Sequence, residues 1–222
     1  MLITYHGHAE FLLETAQGQR ILFDPYDPAA GYPMRRVTAE VVLISHHHFD
    51  HDYLDKVDGD PLVVDTEGAH QPLEGVRVQS IPSFHDEVGG AKRGGILIHQ
   101  LETEGLKITH LGDLGIVPDQ ALAAQLFMPD VLLIPMGGFF TIDAAQAKKT
   151  IGLLKPRVVI PMHYRNEKGG FKDISTLEPF LEAMQPQEAS FQPLLRITRG
   201  DLSQQPKLVV LEIQPEVPGA DS

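Results

Sequence analysis

The 222-residue sequence contains no cysteine. That excludes disulfides, thiolate metal sites and cysteine nucleophiles together. Positive charge is also scarce: 18 Lys and Arg stand against 30 Asp and Glu, a formal net charge of −12. A nucleic-acid-binding surface is therefore disfavoured, because it needs basic residues to neutralise phosphates. No apolar stretch approaches the ~18 to 20 residues needed to cross a bilayer, so no membrane partner is expected. The opening residues, MLITYHGHAEFLLET, carry neither a basic n-region nor a continuous apolar h-region. No export signal is read there, and a cytoplasmic location is the expectation. No repeat or Pro/Gly/Ser-rich linker divides the chain. One domain over residues 1–214 is expected, with PEVPGADS (215–222) as a flexible tail.

Short apolar runs recur instead. They are LITY (2–5), FLLE (11–14), RILF (20–23), EVVLI (40–44), PLVV (61–64) and VRVQSI (76–81), then ILIHQL (96–101), LKITHL (106–111), VLLIP (131–135), RVVIP (157–161) and KLVVLEI (207–213). Most span four to seven residues, are rich in Val, Ile and Leu, and end at Gly, Pro or Asp, so they read as strands. Three segments read as helices: PDQALAAQLF (118–127) with Pro in its first turn, TIDAAQAKKTIGLLKP (141–156) capped by Thr141 or Asp143, and STLEPFLEAM (175–184). In the last, Ser175 and Glu178 have capping-box spacing. Strands first and mixed units later predict an α/β protein of two packed sheets with helices outside.

The chemistry-bearing residues follow these strands. HHHFDHD, residues 46–52, crowds four histidines and two aspartates directly after an apolar run. His85 follows VRVQSIPSF, Asp113 follows LKITHLG, and His163 follows RVVIPM. Strand C-terminal edges are where α/β folds gather sites, since strands fix positions and loops supply functional groups. Zinc accepts imidazole nitrogen and carboxylate oxygen, with about three protein ligands and an open position at a catalytic site. His46 and His48, two apart on extended backbone, are expected to face one ion, with His85 completing the set. Asp50 and His51 point to a second ion with His163, and Asp113, with two oxygens, can bridge both. Seven residues are accounted for with none left over.

On these residues the sequence resembles the metallo-β-lactamase-fold hydrolases. HHHFDH matches their His-x-His-x-Asp-His motif, GDLG around Asp113 resembles the bridging-aspartate motif, and PMHY resembles the terminal histidine motif at His163. YHGHAEFLLET, RILFDPY, IPSFHDEVGGAKRG, THLGDLG and PMGGFFTIDAAQA are similar to a narrower branch, the small metal-dependent hydrolases that include ascorbate-6-phosphate lactonase-like proteins. The match runs from Leu2 to about Tyr164. It implies a four-layer αββα sandwich with a two-metal cleft at one edge and the ligand sets given above. One departure is visible: a polar residue, often Asn, is expected soon after KRG, where this chain has Gly95 and Ile96. The branch's substrate is therefore not carried over.

Two divalent metal ions, zinc first with manganese, iron or nickel compatible, would lower the pKa of water toward ~7. The expected reaction is hydrolysis of an ester, lactone, amide or phosphodiester, with Asp50 as the catalytic proton carrier. His8 and Asp24, each after a short N-terminal strand, are expected to orient ligating residues. His110 lies three before Asp113 on a strand-like run and has a weaker claim to that role. His6, His47, His70 and His99 are read as structural. Lys92, Arg93 and Arg165 lie close in sequence to His85 and His163, and Arg93 and Arg165 are candidates to hold an anionic small-molecule substrate. Phe139, Phe140 and Tyr164 are candidates to line the pocket, or equally to pack in the core. A homo-oligomer is compatible with a chain of this size. Two other classes compete: a non-catalytic metal-binding module, and an iron-dependent oxidoreductase on the same fold. Diiron relatives typically place glutamate where His48 stands.

Overall fold

Apolar segments pair into sheets in the computed structural model, which describes residues 1–185, 189–203 and 206–214. The first strands are β1 (Leu2–Gly7), β2 (Glu10–Glu14), β3 (Arg20–Phe23), β4 (Val37–Thr38), β5 (Val41–Leu43), β6 (Val57–Asp58), β7 (Leu62–Val64) and β8 (Gly68–Leu73). They are followed by β9 (Val76–Phe84), β10 (Gly95–Thr103), β11 (Leu106–His110), β12 (Val131–Pro135), β13 (Val158–Met162), β14 (Ala189–Gln192), β15 (Leu195–Arg196) and β16 (Lys207–Leu211). A six-stranded sheet has the order β15-β1-β2-β3-β5-β7, an eight-stranded sheet the order β14-β16-β13-β12-β11-β10-β9-β8, and β4 pairs with β6. The expected tail, 215–222, lies outside the described residues.

Sequence pattern explains each strand's place. β9 alternates buried and exposed residues over most of its length, as a strand with one wet face should. β12 and β13 are buried at every position, because helices cover the face turned away from the other sheet. Pro161 is tolerated in β13 because the ladder to β16 involves only Val158 and Val159 and has ended before it. The α-helices among the described residues are α1 (Gln120–Gln125), α2 (Ala144–Leu154) and α3 (Glu178–Met184). α2 buries Ala147, Thr150, Ile151 and Leu154, and Asp143 closes a capping box with Gln146.

Several local expectations need correction. Pro118 stands outside α1, whose cap is Asp119. Ser175 does not cap α3: the helix starts at Glu178 without a side-chain cap. Ser175 is held elsewhere, its N–H donating to the Gly137 carbonyl and its carbonyl accepting from the Arg165 N–H. The sheets and the sandwich fold are as expected, but the layer over the six-stranded sheet differs in substance. Leu22, Val42 and Ile44 pack there against Val37, Ala39 and Val57, from the β4–β6 ribbon and its surroundings. Prolines 25, 28 and 33 explain why that segment forms short 3₁₀ turns and ribbon in place of an α-helix.

Strand direction gathers the chemistry. β3, β5 and β7 run parallel, and β1, antiparallel to β2, shares their direction. In the other sheet β11, β12 and β13 are parallel, and β9, two antiparallel steps from β11, runs with them. Hydrogen bonds then tie the two sheets at this rim: His163 N–H donates to the His8 carbonyl at 2.7 Å, and Leu97 N–H to that of Ser45 at 2.7 Å.

Candidate metal centre

Each polar candidate stands just past one of these strand ends. Asp24 follows β3, Ser45 and His46 follow β5, and His85 follows β9 directly. Asp113 lies three residues after β11, and His163 follows β13 directly. His8 occupies the turn between β1 and β2. His8, Asp24 and His163 all hold φ values in the left-handed region, +53°, +42° and +55°. For non-glycine residues that conformation costs on the order of 1–2 kcal/mol each. Three such costs at one rim mark it as a place where side-chain direction outweighs backbone comfort. Two glycines let backbones close in behind it. A Cβ on Gly137 would stand 2.1 Å from the His163 carbonyl oxygen, and one on Gly115 2.3 Å from the His85 carbonyl carbon.

The side chains of these candidates converge at this rim. His46, His48 and His85 bring nitrogens within 4.8 Å of one another. A carboxylate oxygen of Asp50 and nitrogens of His51 and His163 lie equally close, joined by one from His8. Asp113 stands between these groups: its Oδ1 is 3.3 Å from His51 Nε2, and its Oδ2 is 3.4 Å from His85 Nε2 and 3.2 Å from His163 Nε2. Of these residues His48 is exposed, and the others are buried.

Hydrogen bonds fix which ring nitrogens face inward. Asp24, fully buried, accepts from Ser45 N–H at 2.7 Å, from Ser45 Oγ–H at 2.7 Å and from His51 Nδ1–H at 2.9 Å. Because the Ser45 hydrogen is spent on the carboxylate, its oxygen accepts from His46 Nδ1–H at 2.9 Å. His85 Nδ1–H donates to the Phe140 carbonyl at 3.1 Å. His46, His51 and His85 therefore all present Nε2 to the centre. His8 Nε2 lies 3.1 Å from Asp50 Oδ2.

The buried polar atoms lacking a hydrogen-bond partner cluster here. They include Nε2 of His46 and His51, both ring nitrogens of His163, and Asp113 Oδ1. Such atoms are costly to bury unless something else satisfies them. Charge tells the same story. Glu10 is buried with a lysine of its own, Lys56, at 2.6 Å. Asp24, Asp50 and Asp113 are buried with histidines as their only ion-pair partners among the described residues. Against the opposing pull of burial, His163 and His51 hold the Asp113 carboxyl well below the usual range. His51 is pushed well above its ordinary value, with burial opposing and Asp113 and Asp24 raising it. His46 is pushed down to about 2, by burial first and then by His51. Carboxylates that hold a proton on a buried imidazole would hold a divalent cation by the same field.

Residues 2–163 match the family model described as the beta-lactamase superfamily domain. The chain belongs to the beta-lactamase superfamily. A UPF0173 metal-dependent hydrolase of Thermococcus onnurineus is 32% identical over 191 residues, covering 73% of this chain and 84% of that protein. One of Pyrococcus furiosus is 32% identical over 190 residues, with the same coverages of 73% and 84%. Among solved structures, a protein of Thermotoga maritima assigned as a Zn-dependent hydrolase of the metallo-beta-lactamase superfamily has a TM-score of 0.78 and 34% identity, covering 96% of this chain and 99% of that one. The chain is thus a metal-dependent hydrolase of this superfamily.

In this hydrolase further residues support the cluster, and Ser45, Asp86 and the Glu10–Lys56 pair among them were invisible in the sequence. Ser45 links Asp24 to His46, and its position immediately before the motif was the available signal. Asp86, next to His85, accepts four backbone N–H groups, from Val88, Gly90, Lys92 and Arg93, and so shapes the loop that presents Arg93. His110 stacks on Phe23, donates Nε2–H to the Ala9 carbonyl and accepts from Gly112 N–H, so it braces the turn before Asp113. His6 and Lys56 share the Glu10 carboxylate, tying the hairpin that carries His8 to the loop after His51. His99 is structural, bonded to Ile44 and Ser80. Tyr164 is a core residue. Arg165 is partly committed, its Nε–H donating to the Ile174 carbonyl at 2.9 Å. Among the described residues no helix is long and apolar enough to cross a membrane.

Proposed function

We propose that this hydrolase binds two divalent cations and cleaves an ester, lactone or phosphodiester-type bond in a small molecule. His46, His48 and His85 hold one cation, and Asp50, His51 and His163 the other, with Asp113 shared. The observation that carries the reading is the set of three buried carboxylates, Asp24, Asp50 and Asp113, without a lysine or arginine partner among the described residues, beside inward-facing imidazole nitrogens. Histidine and carboxylate donors suit zinc first, with manganese, iron and nickel sharing the preference. Such cations supply Lewis acidity and lower the pKa of water toward ~7.

The chain's own residues do the rest. Asp24 and Ser45 fix ring orientation. Asp50 has 12% of its side chain exposed against 2% for Asp113, so it faces the cleft opening. Its Oδ2 accepts from His8 Nε2–H, which leaves Oδ1 to take a proton from the attacking water and return it to the leaving group. On this reading Arg93 and Arg165 attract an anionic group of the substrate. The chain through residue 214 acts as one catalytic domain.

The test is a substrate panel with purified, metal-quantified protein: lactones, sugar-phosphate lactones and phosphodiesters, each with and without chelator. At least one class is expected to be hydrolysed in a chelator-sensitive manner, with a loss of roughly 10²–10⁴-fold in Asp50→Ala. Activity that survives complete metal removal would reject the reading.

A further inference from the structure

Four phenylalanine rings form a continuous row beside the metal-binding cluster. Phe49 and Phe171 have centroids 6.2 Å apart, Phe171 and Phe140 5.8 Å, and Phe140 and Phe139 4.7 Å, each pair near edge-to-face. The row abuts both halves of the cluster. Phe49 precedes Asp50, Phe171 stands edge-on to His8 at 5.5 Å, and the Phe140 carbonyl accepts from His85.

Phe171 packs against the hydrophobic core, but folding does not account for the exposed ends of the row. Phe49 is 53% exposed and Phe139 62%, and neither belongs to the hydrophobic core. Phe139 also holds φ at +54°, a strained conformation for a bulky residue, and the ring so placed projects into solvent. Two water-facing rings, Phe49 and the strained Phe139, flank the half-buried Phe140 and Phe171 at the mouth of a reactive site, and together they form a surface that an apolar ligand would cover. At its edge the Arg93 guanidinium lies 5.5 Å from the Phe140 centroid and has no ion-pair partner among the described residues.

We propose that the substrate carries an aryl group next to the scissile carbonyl, seated on Phe49, Phe171, Phe140 and Phe139. The proposal rests on the hydrolytic reading above and adds the substrate class. In the reaction the carbonyl carbon gains a bond to water oxygen and loses its bond to the leaving oxygen or nitrogen. One water proton passes to the leaving group, the other is released to solvent as the product acid ionises, and nothing is oxidised. A carboxylate bearing the aryl group results, with its ring still on the row.

That product allows a test without turnover. Zinc-loaded protein is titrated calorimetrically with phenylacetate and with acetate, in wild type, in the Phe49→Ala/Phe171→Ala double variant, and in Phe139→Ala, whose exposed site puts folding at little risk. Phenylacetate is expected to bind at least about tenfold more tightly than acetate. The preference should fall toward unity in the double variant and partly in Phe139→Ala, with zinc per chain unchanged. Equal affinities in wild type, binding of neither, or a preference retained in both variants overturns the proposal. Hydrolysis of methyl phenylacetate and methyl acetate separates the two readings. Equal kcat/KM for both esters overturns the aryl assignment while hydrolysis stands. Absent or chelator-insensitive turnover, with the binding preference intact, supports the aryl assignment and counts against hydrolysis.

Discussion

Replacing Asp24 by Asn tests how the imidazoles are aimed. In the wild type Asp24 Oδ1 accepts from Ser45 N–H, while Oδ2 accepts from Ser45 Oγ–H and His51 Nδ1–H. Asparagine can keep the first bond with its carbonyl oxygen, but its NH2 group then faces two donors. Relief comes only by reversing them. Ser45 accepts from the amide and turns its hydrogen to His46 Nδ1, and His51 accepts at Nδ1. Both rings then carry hydrogen on Nε2, pointing at the cluster where a cation would need a lone pair. Losing one hydrogen bond to a charged group costs about 1.5–3 kcal/mol, and outer partners of metal ligands are each worth about 10–100-fold in affinity. Two histidines misdirected by one substitution should weaken metal binding by about 2–4 kcal/mol, roughly 30- to 1000-fold. The assay is competition for zinc against a fluorescent indicator, with circular dichroism confirming the fold. Ser45→Ala, which disturbs only the His46 arm, should lose about tenfold. Folded Asp24→Asn protein binding zinc within about threefold of wild type would refute the reasoning, because the relay would then not be setting the tautomers.

Three further outcomes follow from the same structure. His99 is fully buried, and burial pushes its pKa down to about 4 from an ordinary 6.5. The unfolded chain therefore takes up that proton first, and stability is lost as pH falls from 6.5 toward 4. The loss is worth about 3 kcal/mol, so wild type should lose about that much more than His99→Gln between pH 7 and 4 in denaturant titrations; equal slopes would contradict this. Gly137→Ala puts a methyl group 2.1 Å from the His163 carbonyl oxygen, whereas Gly152 in α2 has nothing within 4 Å. The first should destabilise by about 2–4 kcal/mol and the second stabilise by up to about 1, as read from melting temperatures. Asp86→Ala should speed amide exchange at Val88, Gly90, Lys92 and Arg93 by at least about tenfold, and unchanged protection would show the loop to be held by other contacts.

Much of the cluster was readable because its signals are local. His46, His48, Asp50 and His51 form one ordered motif, and His85 and His163 each stand one residue past a strand-like run. Parallel strand direction does the remaining work, and the continuous apolar runs of β12 and β13 are its sign in the sequence. What failed to show had no local pattern. β8, GAHQPL, reads as loop because Gly and Pro suppress strand propensity, yet it pairs with β9 at a sheet edge where a bulge is tolerated. Glu10 and Lys56 meet across 46 positions, and no periodicity connects them. The capping box at Ser175 had correct spacing but lost to tertiary bonds with Gly137 and Arg165. Phe171 carries no sequence signal of its contact with His8.

Anomalous scattering at the zinc edge from crystals of zinc-loaded protein tests the central claim most directly. Two peaks are predicted, one within bonding distance of His46, His48 and His85 and the other of Asp50, His51 and His163, with Asp113 reaching both. A single peak, or peaks away from these side chains, would contradict it.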